Sequence, residues 1–294
     1  MEWSVNMKVS DVKKVCVAGG GRMGRQIALN SSIYGFDTYV YDSYAPALPE
    51  IEAWAKDYLD GRVAKGKMTA EKAAAALEKF HVVGSLEEAA TGAQVVIEAI
   101  VEQRDVKIDF YKKLNEIAPK DCVFASNSSY MVSSIFKDLV DDPSRLANMH
   151  YFNPALAMKL VEVVKGEHTS QETADFLYDL AVANGKTPIR VNKEIRGFVV
   201  NRVLTAIRDE AYFLVEEGIC SPEDCDIGVK GGLNHPMGVF ELLDLTGIDM
   251  NFDSMNDRMM SGEPKPHGYE IAKAKVEAGE LGRKTGKGFY TYNK

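Results

Sequence analysis

The 294-residue sequence is short of several things, and each shortage excludes a class of protein. It has 4 cysteines, too few to staple a chain of this size by disulfides. Cys16 and Cys122 sit in apolar, strand-like runs where a thiol acts as a small hydrophobe, and Cys220 and Cys225 have no histidine near them. The 5 histidines never pair at helix-face spacing, so no metal site is expected. Positive charge is also scarce: 35 Lys and Arg stand against 43 Asp and Glu, a net charge of −8, which argues against a surface built to neutralise nucleic-acid phosphates. No apolar run reaches the roughly 18 residues of a membrane span, and Met1-Glu2-Trp3-Ser4 lacks the basic-then-apolar layout of a secretory signal. The expectation is a cytoplasmic protein with neither a nucleic-acid nor a membrane partner.

What is present is an ordinary globular composition, 46% hydrophobic and 27% charged, on a length that favours about two domains. Residues 12 to about 192 alternate short β-rich runs with helical patterns, the arrangement of a parallel sheet covered by helices. Val15–Ala18, Thr38–Tyr41, Gln94–Ile100 and Cys122–Ala125 read as buried strands. Val106, Phe110, Leu114 and Ile117 form an apolar stripe on one helix face. A helical pair is expected over about 50–80, with Gly66 and Thr69 at its turn. Beyond Thr187–Val191 the strand-like runs stop. This places a domain boundary near Lys193, giving units 1–193 and 194–294, the second helical. In it, Phe198 to Glu217 reads as a long helix closed by Gly218, and Ser221-Pro222-Glu223-Asp224 as a helix start.

Gly19-Gly20-Gly21-Arg22-Met23-Gly24 matches G-x-G-x-x-G between an expected strand and an expected helix. Gly19, Gly21 and Gly24 permit a tight turn, close approach of a pyrophosphate and close helix–strand packing, while the helix N-terminus offers unpaired N–H groups to the anion. Arg22 either reaches a phosphate or is a solvated loop side chain. Asp42 ends the next strand, where a carboxylate binds ribose hydroxyls and repels an added phosphate, so NAD is preferred to NADP. The first unit is therefore expected to be a Rossmann-like dinucleotide-binding domain, followed by an all-α domain.

His150 lies in Asn148-Met149-His150-Tyr151-Phe152-Asn153-Pro154, and Glu162 lies inside the apolar run Leu160-Val161-Glu162-Val163-Val164. A buried carboxylate without a partner is costly. If the two runs pair antiparallel about a turn centred near residue 156, His150 stands opposite Glu162, which then has its partner and polarises the imidazole. Phe124-Ala125-Ser126-Asn127-Ser128-Ser129 runs a strand into hydroxyls and an amide, at the strand end where open α/β sheets bind ligands. A helix-capping role for the same residues stays open. His235, in Asn-His-Pro-Met-Gly, reads as part of a structured turn, and Glu98 as a buried strand acid with no assigned role.

These residues resemble the L-3-hydroxyacyl-CoA dehydrogenase family, and the likeness runs from Val15 to Tyr292. It is carried by the Gly19 loop, Val96-Ile97-Glu98-Ala99-Ile100-Val101-Glu102, Ala125-Ser126-Asn127-Ser128-Ser129, His150-Tyr151-Phe152-Asn153-Pro154 and Met158-Lys159-Leu160-Val161-Glu162-Val163. In the second unit it rests on Gly197-Phe198-Val199-Val200-Asn201-Arg202, Asn234-His235-Pro236-Met237-Gly238 and Leu281-Gly282-Arg283-Lys284-Thr285-Gly286-Lys287-Gly288-Phe289-Tyr290.

The resemblance implies NAD-dependent, reversible oxidation of an L-3-hydroxyacyl-CoA, with a short-chain 3-hydroxybutyryl-CoA substrate suggested. It implies His150 as general acid/base, Glu162 as its partner, and Ser129 and Asn201 as holders of the substrate oxygen. Glu102, Lys107, Asn127 and Lys284 match cofactor contacts, Asn153 shapes the nicotinamide pocket, and Asn127 also lies near the thioester. Lys65 and Lys67, in the helical arm, are candidates for the CoA phosphates, with a solvated helix end as the alternative. A homodimer through the C-terminal domain is also implied. Three features depart from the family pattern: Tyr130 beside Ser129, Arg196 where Pro is common, and Arg22 with Arg25 in place of small residues. Two rival readings are a dehydrogenase of a free hydroxy acid, of the gulonate or carnitine type, and an NAD-binding protein without turnover.

Overall fold

The computed structural model describes residues 7–292; the opening Met1–Ser4 lies outside them. The chain divides into two compact units after Val199, so the segment following Lys193 stays with the first.

The first unit comprises β1 (Lys14–Ala18), α1 (Arg22–Ile33), β2 (Asp37–Tyr41), α2 (Ala47–Ala64), α3 (Ala70–Glu78), β3 (Phe80–Val83), α4 (Leu86–Ala90), β4 (Val95–Glu98), α5 (Arg104–Ile117), β5 (Val123–Ser126), β6 (Leu146–Tyr151), β7 (Leu160–Val164), α6 (Gln171–Ala183) and β8 (Thr187–Val191). The strands form one eight-stranded sheet in the order β3-β2-β1-β4-β5-β6-β7-β8. Neighbouring strands are parallel except β6 and β7, which are antiparallel. Helices on both faces explain why the central strands are apolar on both sides. Val15, Val17 and Ile97 pack with Ile27 and Leu177 on one face, and Cys16, Val96 and Phe124 pack with Phe110, Leu114 and Phe136 on the other. Burial pushes the Cys16 thiol up to about 12, which keeps it a neutral hydrophobe.

Two sequence expectations need correction in the first unit. The helical pair ends at Glu78, and Phe80 opens β3 beside β2; the Ala- and Lys-rich composition extended the helical pattern past its true end. Thr69 does mark the turn, accepting the Lys72 N–H as the cap of α3. The apolar stripe expected on α5 is present, with Phe110 and Leu114 buried and Val106 at its exposed end, at 41%. The strand expected over Gln94–Ile100 stops at Glu98, where the Ile100 N–H turns back to the Glu98 carboxylate.

The second unit is helical, with α7 (Val200–Glu216), α8 (Pro222–Leu233), α9 (Val239–Thr246), α10 (Ile248–Met260) and α11 (Tyr269–Glu277). The helix expected from Phe198 begins two residues later, because Gly197 and Phe198 both have positive φ, 77° and 48°, and turn the chain first. Ser221 caps α8 by accepting the Asp224 N–H, as its sequence indicates. Tyr212, Phe240, Leu243, Ile248 and Met255 form the core. Asp244, 1% exposed, accepts the backbone N–H groups of Phe289 and Tyr290 at 2.9 Å and the Tyr292 hydroxyl at 3.0 Å. A Cβ on Gly282 or Gly288 would collide with Asp244, which accounts for those two glycines of the tail. Among the described residues no helix is long and apolar enough to cross a membrane.

Candidate active site

The glycine loop joins β1 to α1 at the carboxyl edge of the sheet. Gly19 has φ +100°, donates its N–H to the Tyr41 carbonyl at 2.7 Å, and lies so close to β4 that an added Cβ would stand 2.5 Å from the Ala99 carbonyl oxygen. A Cβ on Gly24 would strike the Gly19 carbonyl, whereas one on Gly21 would meet nothing within 4 Å. Gly24 therefore serves helix–strand packing, and Gly21 keeps a backbone approach open. Gly21 precedes α1 with no side-chain cap, leaving the first N–H groups of the helix available to an anion. Arg22 is exposed there and Met23 half-buried.

Asp42 follows β2. Its Oδ2 accepts the Gly20 N–H at 2.8 Å and its Oδ1 accepts the Tyr44 N–H at 2.9 Å, so the carboxylate is oriented beside the loop. A cleft of about 400 Å³ opens here, lined by Gly21, Asp42, Ile100, Val101, Val106 and Phe110 among others. Its size and its apolar walls beside the oriented Asp42 carboxylate, with Asp109 and Lys113 also in the lining, fit the adenosine half of a dinucleotide.

Farther along the same edge, β6 and β7 pair with His150 opposite Glu162. Both are buried, at 5% and 0% exposure. His150 Nδ1 lies 2.8 Å from Glu162 Oε2, and Nε2 lies 2.9 Å from Ser129 Oγ. A carboxylate accepts only, so Nδ1 carries the proton; in the neutral ring Nε2 then accepts, and the serine hydroxyl donates to it. Glu162 Oε1 accepts the Val199 N–H at 3.0 Å. The rings of Phe152 and Phe198 lie 4.7 and 5.5 Å from the imidazole and shield the pair from water.

The remaining expected site residues are described unit by unit. Asn127 Oδ1 accepts the Tyr151 N–H at 2.8 Å, fixing the serine loop to β6. Glu102 is half-exposed, whereas the Lys107 ammonium is buried between Glu98 and Glu102, at 2.6 and 3.2 Å. Asn153 is exposed just past β6, and Lys65 and Lys67 are exposed between α2 and α3. In the second unit Asn201 lies in the first turn of α7, and Lys284 pairs with Asp249 at 2.5 Å. His235 follows the left-handed Asn234 that ends α8 and donates its N–H to the Val229 carbonyl, a turn as expected.

Sequence reasoning missed two features. The Val199 amide depends on the positive φ of Phe198, a conformation that a bulky residue does not signal. The partners of Glu98 were hidden too, although a lone acid within a buried run already required some.

A family model for the 3-hydroxyacyl-CoA dehydrogenase NAD binding domain matches residues 14–195, and one for the C-terminal domain of the same enzymes matches residues 197–292. A Bacillus subtilis protein described as a probable 3-hydroxybutyryl-CoA dehydrogenase is 37% identical over 283 residues, 96% of this chain and 98% of its own. The 3-hydroxybutyryl-CoA dehydrogenase of Clostridioides difficile is 34% identical over 96% of this chain and 100% of its own. The crystal structure of the (S)-3-hydroxybutyryl-CoA dehydrogenase of Ralstonia eutropha superposes with a TM-score of 0.88 at 34% identity, covering 97% of this chain and 100% of that one. With both family domains matched in order, the chain is an NAD-dependent oxidoreductase that belongs to the 3-hydroxyacyl-CoA dehydrogenase family.

Proposed function

We propose that the protein interconverts an L-3-hydroxyacyl-CoA and the 3-ketoacyl-CoA, with short-chain 3-hydroxybutyryl-CoA as the principal substrate. The observation that carries this reading is the line Ser129–His150–Glu162, a hydroxyl, an imidazole and a buried carboxylate in hydrogen-bond contact. Bound NAD supplies the acceptor for the C3 hydride. His150 Nε2 takes the proton of the substrate hydroxyl, and the Glu162 carboxylate stabilises the imidazolium that forms; in the reducing direction the imidazolium returns the proton to the carbonyl oxygen. Ser129 and Asn201 hold that oxygen. Gly19, Gly21, Gly24 and Asp42 hold the dinucleotide, with Glu102, Lys107, Asn127, Asn153 and Lys284 on the cofactor side, and Lys65 and Lys67 meet the CoA phosphates.

Tyr130 follows Ser129 directly, and the Arg196 guanidinium lies 5.3 Å from its ring centroid. Two of the three departures from the family pattern thus meet, and together they shape the acyl pocket. A Tyr130→Ser variant with unchanged chain-length preference would count against this. The second unit exposes Ile219, Ile227, Leu233, Leu245, Met250 and Met260, apolar surface suited to a homodimer interface.

The test follows NADH absorbance as purified protein meets acetoacetyl-CoA, with free acetoacetate and NADPH in parallel. Rapid oxidation with NADH and the thioester alone supports the reading. Turnover of the free acid would move the substrate to a hydroxy acid, and no turnover with either would leave a binding protein.

A further inference from the structure

We propose that Glu98 is a positioning residue for the serine loop, holding Ser129 in register with His150 through a closed ring of polar contacts that includes Glu102 and Lys107. The inference rests on the reading of Ser129 and His150 given above.

The ring starts at the Lys107 ammonium, 2.6 Å from Glu98 Oε1. Glu98 Oε2 accepts the Ser126 hydroxyl at 2.7 Å, and Ser126 Oγ accepts the Ser128 N–H at 3.2 Å. Ser128 Oγ donates to Glu102 Oε1, and Glu102 Oε2 returns to Lys107 at 3.2 Å. Met131 closes the far side of the loop, its N–H directed at Ser128 Oγ at 3.1 Å and at Glu102 Oε1 at 3.4 Å. The residue before Ser129 and the second residue after it are both tied to the ring, while the Ser129 hydroxyl faces His150.

Glu98 and Lys107 are each 1% exposed, and burying charge in this way is dearer than filling the same volume with apolar side chains. What the ring supplies instead is direction: each hydrogen bond fixes an orientation that a greasy contact leaves free. A reacting hydroxyl needs placement to about 0.5 Å, and the ring spans the ends of β4 and β5 from which that hydroxyl is hung. Glu102, whose side chain is 42% exposed, is the most accessible member, so a cofactor that touches it also acts on the serine loop.

The experiment compares Glu98→Gln and Ser126→Ala, each alone and in a Ser129→Ala background. Each single change should lower kcat about 10-fold or more, leave KM for acetoacetyl-CoA within about twofold, and add little once Ser129 is gone, because the loss travels through that serine. In the cofactor-free protein, hydrogen exchange at the Ser128 and Met131 amides should speed up in both variants. Losses that add in full to that of Ser129→Ala, or exchange at those amides unchanged from wild type, would overturn the proposal. Ser126→Ala deletes one hydroxyl and leaves the Glu98–Lys107 pair intact, so it carries the test if Glu98→Gln does not fold. An inactive wild type would sink the reading of the site, whereas the exchange rates judge the ring separately.

Discussion

The Val199 backbone N–H donates to Glu162 Oε1 while His150 Nδ1 lies against Oε2 of the same carboxylate. Each oxygen thus has its own donor. A glutamine at 162 could not serve both, because its amide has one acceptor and one donor end. If the oxygen stays on Val199, the NH₂ faces Nδ1 and drives the imidazole proton to Nε2, the wrong tautomer for a base. Glu162→Gln should therefore lower kcat roughly 10²- to 10⁴-fold, comparable with His150→Gln, with little change in the thermal midpoint. Near-wild-type turnover in Glu162→Gln would show that this geometry does not govern the imidazole.

The glycine loop separates packing from ligand approach. Gly21→Ala adds a methyl to open space, so the melting temperature should hold while NADH affinity, read by fluorescence titration, falls about tenfold as the methyl meets the pyrophosphate. Gly24→Ala drives a methyl into the Gly19 carbonyl and should lower both stability and affinity. Equal loss of stability in the two variants would contradict this division.

His168 offers a pH dependence. Burial lowers its pKa below the ordinary 6.5, against the pull of Glu194, and its Nε2 lies 3.2 Å from Ser133 Oγ. A lowered folded-state pKa means that the unfolded chain binds the proton more readily. Its contribution to stability is then full above about 6.5 and is lost as pH falls through the folded value. Melting temperatures taken from about pH 7 down to about pH 5 should drop more for wild type than for His168→Gln. Parallel curves would remove His168 from the explanation.

In the second unit, Asp244→Ala would leave the Phe289 and Tyr290 N–H groups without their acceptor. Donors left unpaired where water reaches them in part cost toward the lower end of about 1–3 kcal/mol each, so urea unfolding should show a loss of about 2 kcal/mol. A change under about 0.5 kcal/mol would mean that the tail finds other acceptors.

Much of this was legible in the residues. The pairing of His150 with Glu162 followed from one acid inside a β-branched run and a turn between two strands, and the glycine loop followed from its place between a strand and a helix. What escaped notice depends on contacts between distant segments. Phe198 adopts a positive φ that its side chain disfavours, so the turn before α7 read as helix. The ring around Glu98 joins β4, α5 and the serine loop, and no local spacing announces it. The end of α3 was obscured because Ala, Lys and Glu continue the helical pattern to the point where pairing with β2 takes the chain over.

The antiparallel step between β6 and β7 has a consequence for how such an enzyme can change. His150 and Glu162 are aligned by the ladder that joins their strands, so residues 152–159 between them are free of that duty. Apart from Phe152, whose ring packs on the imidazole, Asn153, which the proposed function places beside the cofactor, and Ala155 and Met158, whose carbonyls hold the Lys186 ammonium, that connection can be rewritten while the ladder keeps His150 opposite Glu162. A slip of one residue in the ladder, by contrast, would send Glu162 to the opposite face of the sheet. Substitution at the other positions between β6 and β7 is therefore the tolerant route to altered specificity, and strand register is the part that cannot be edited.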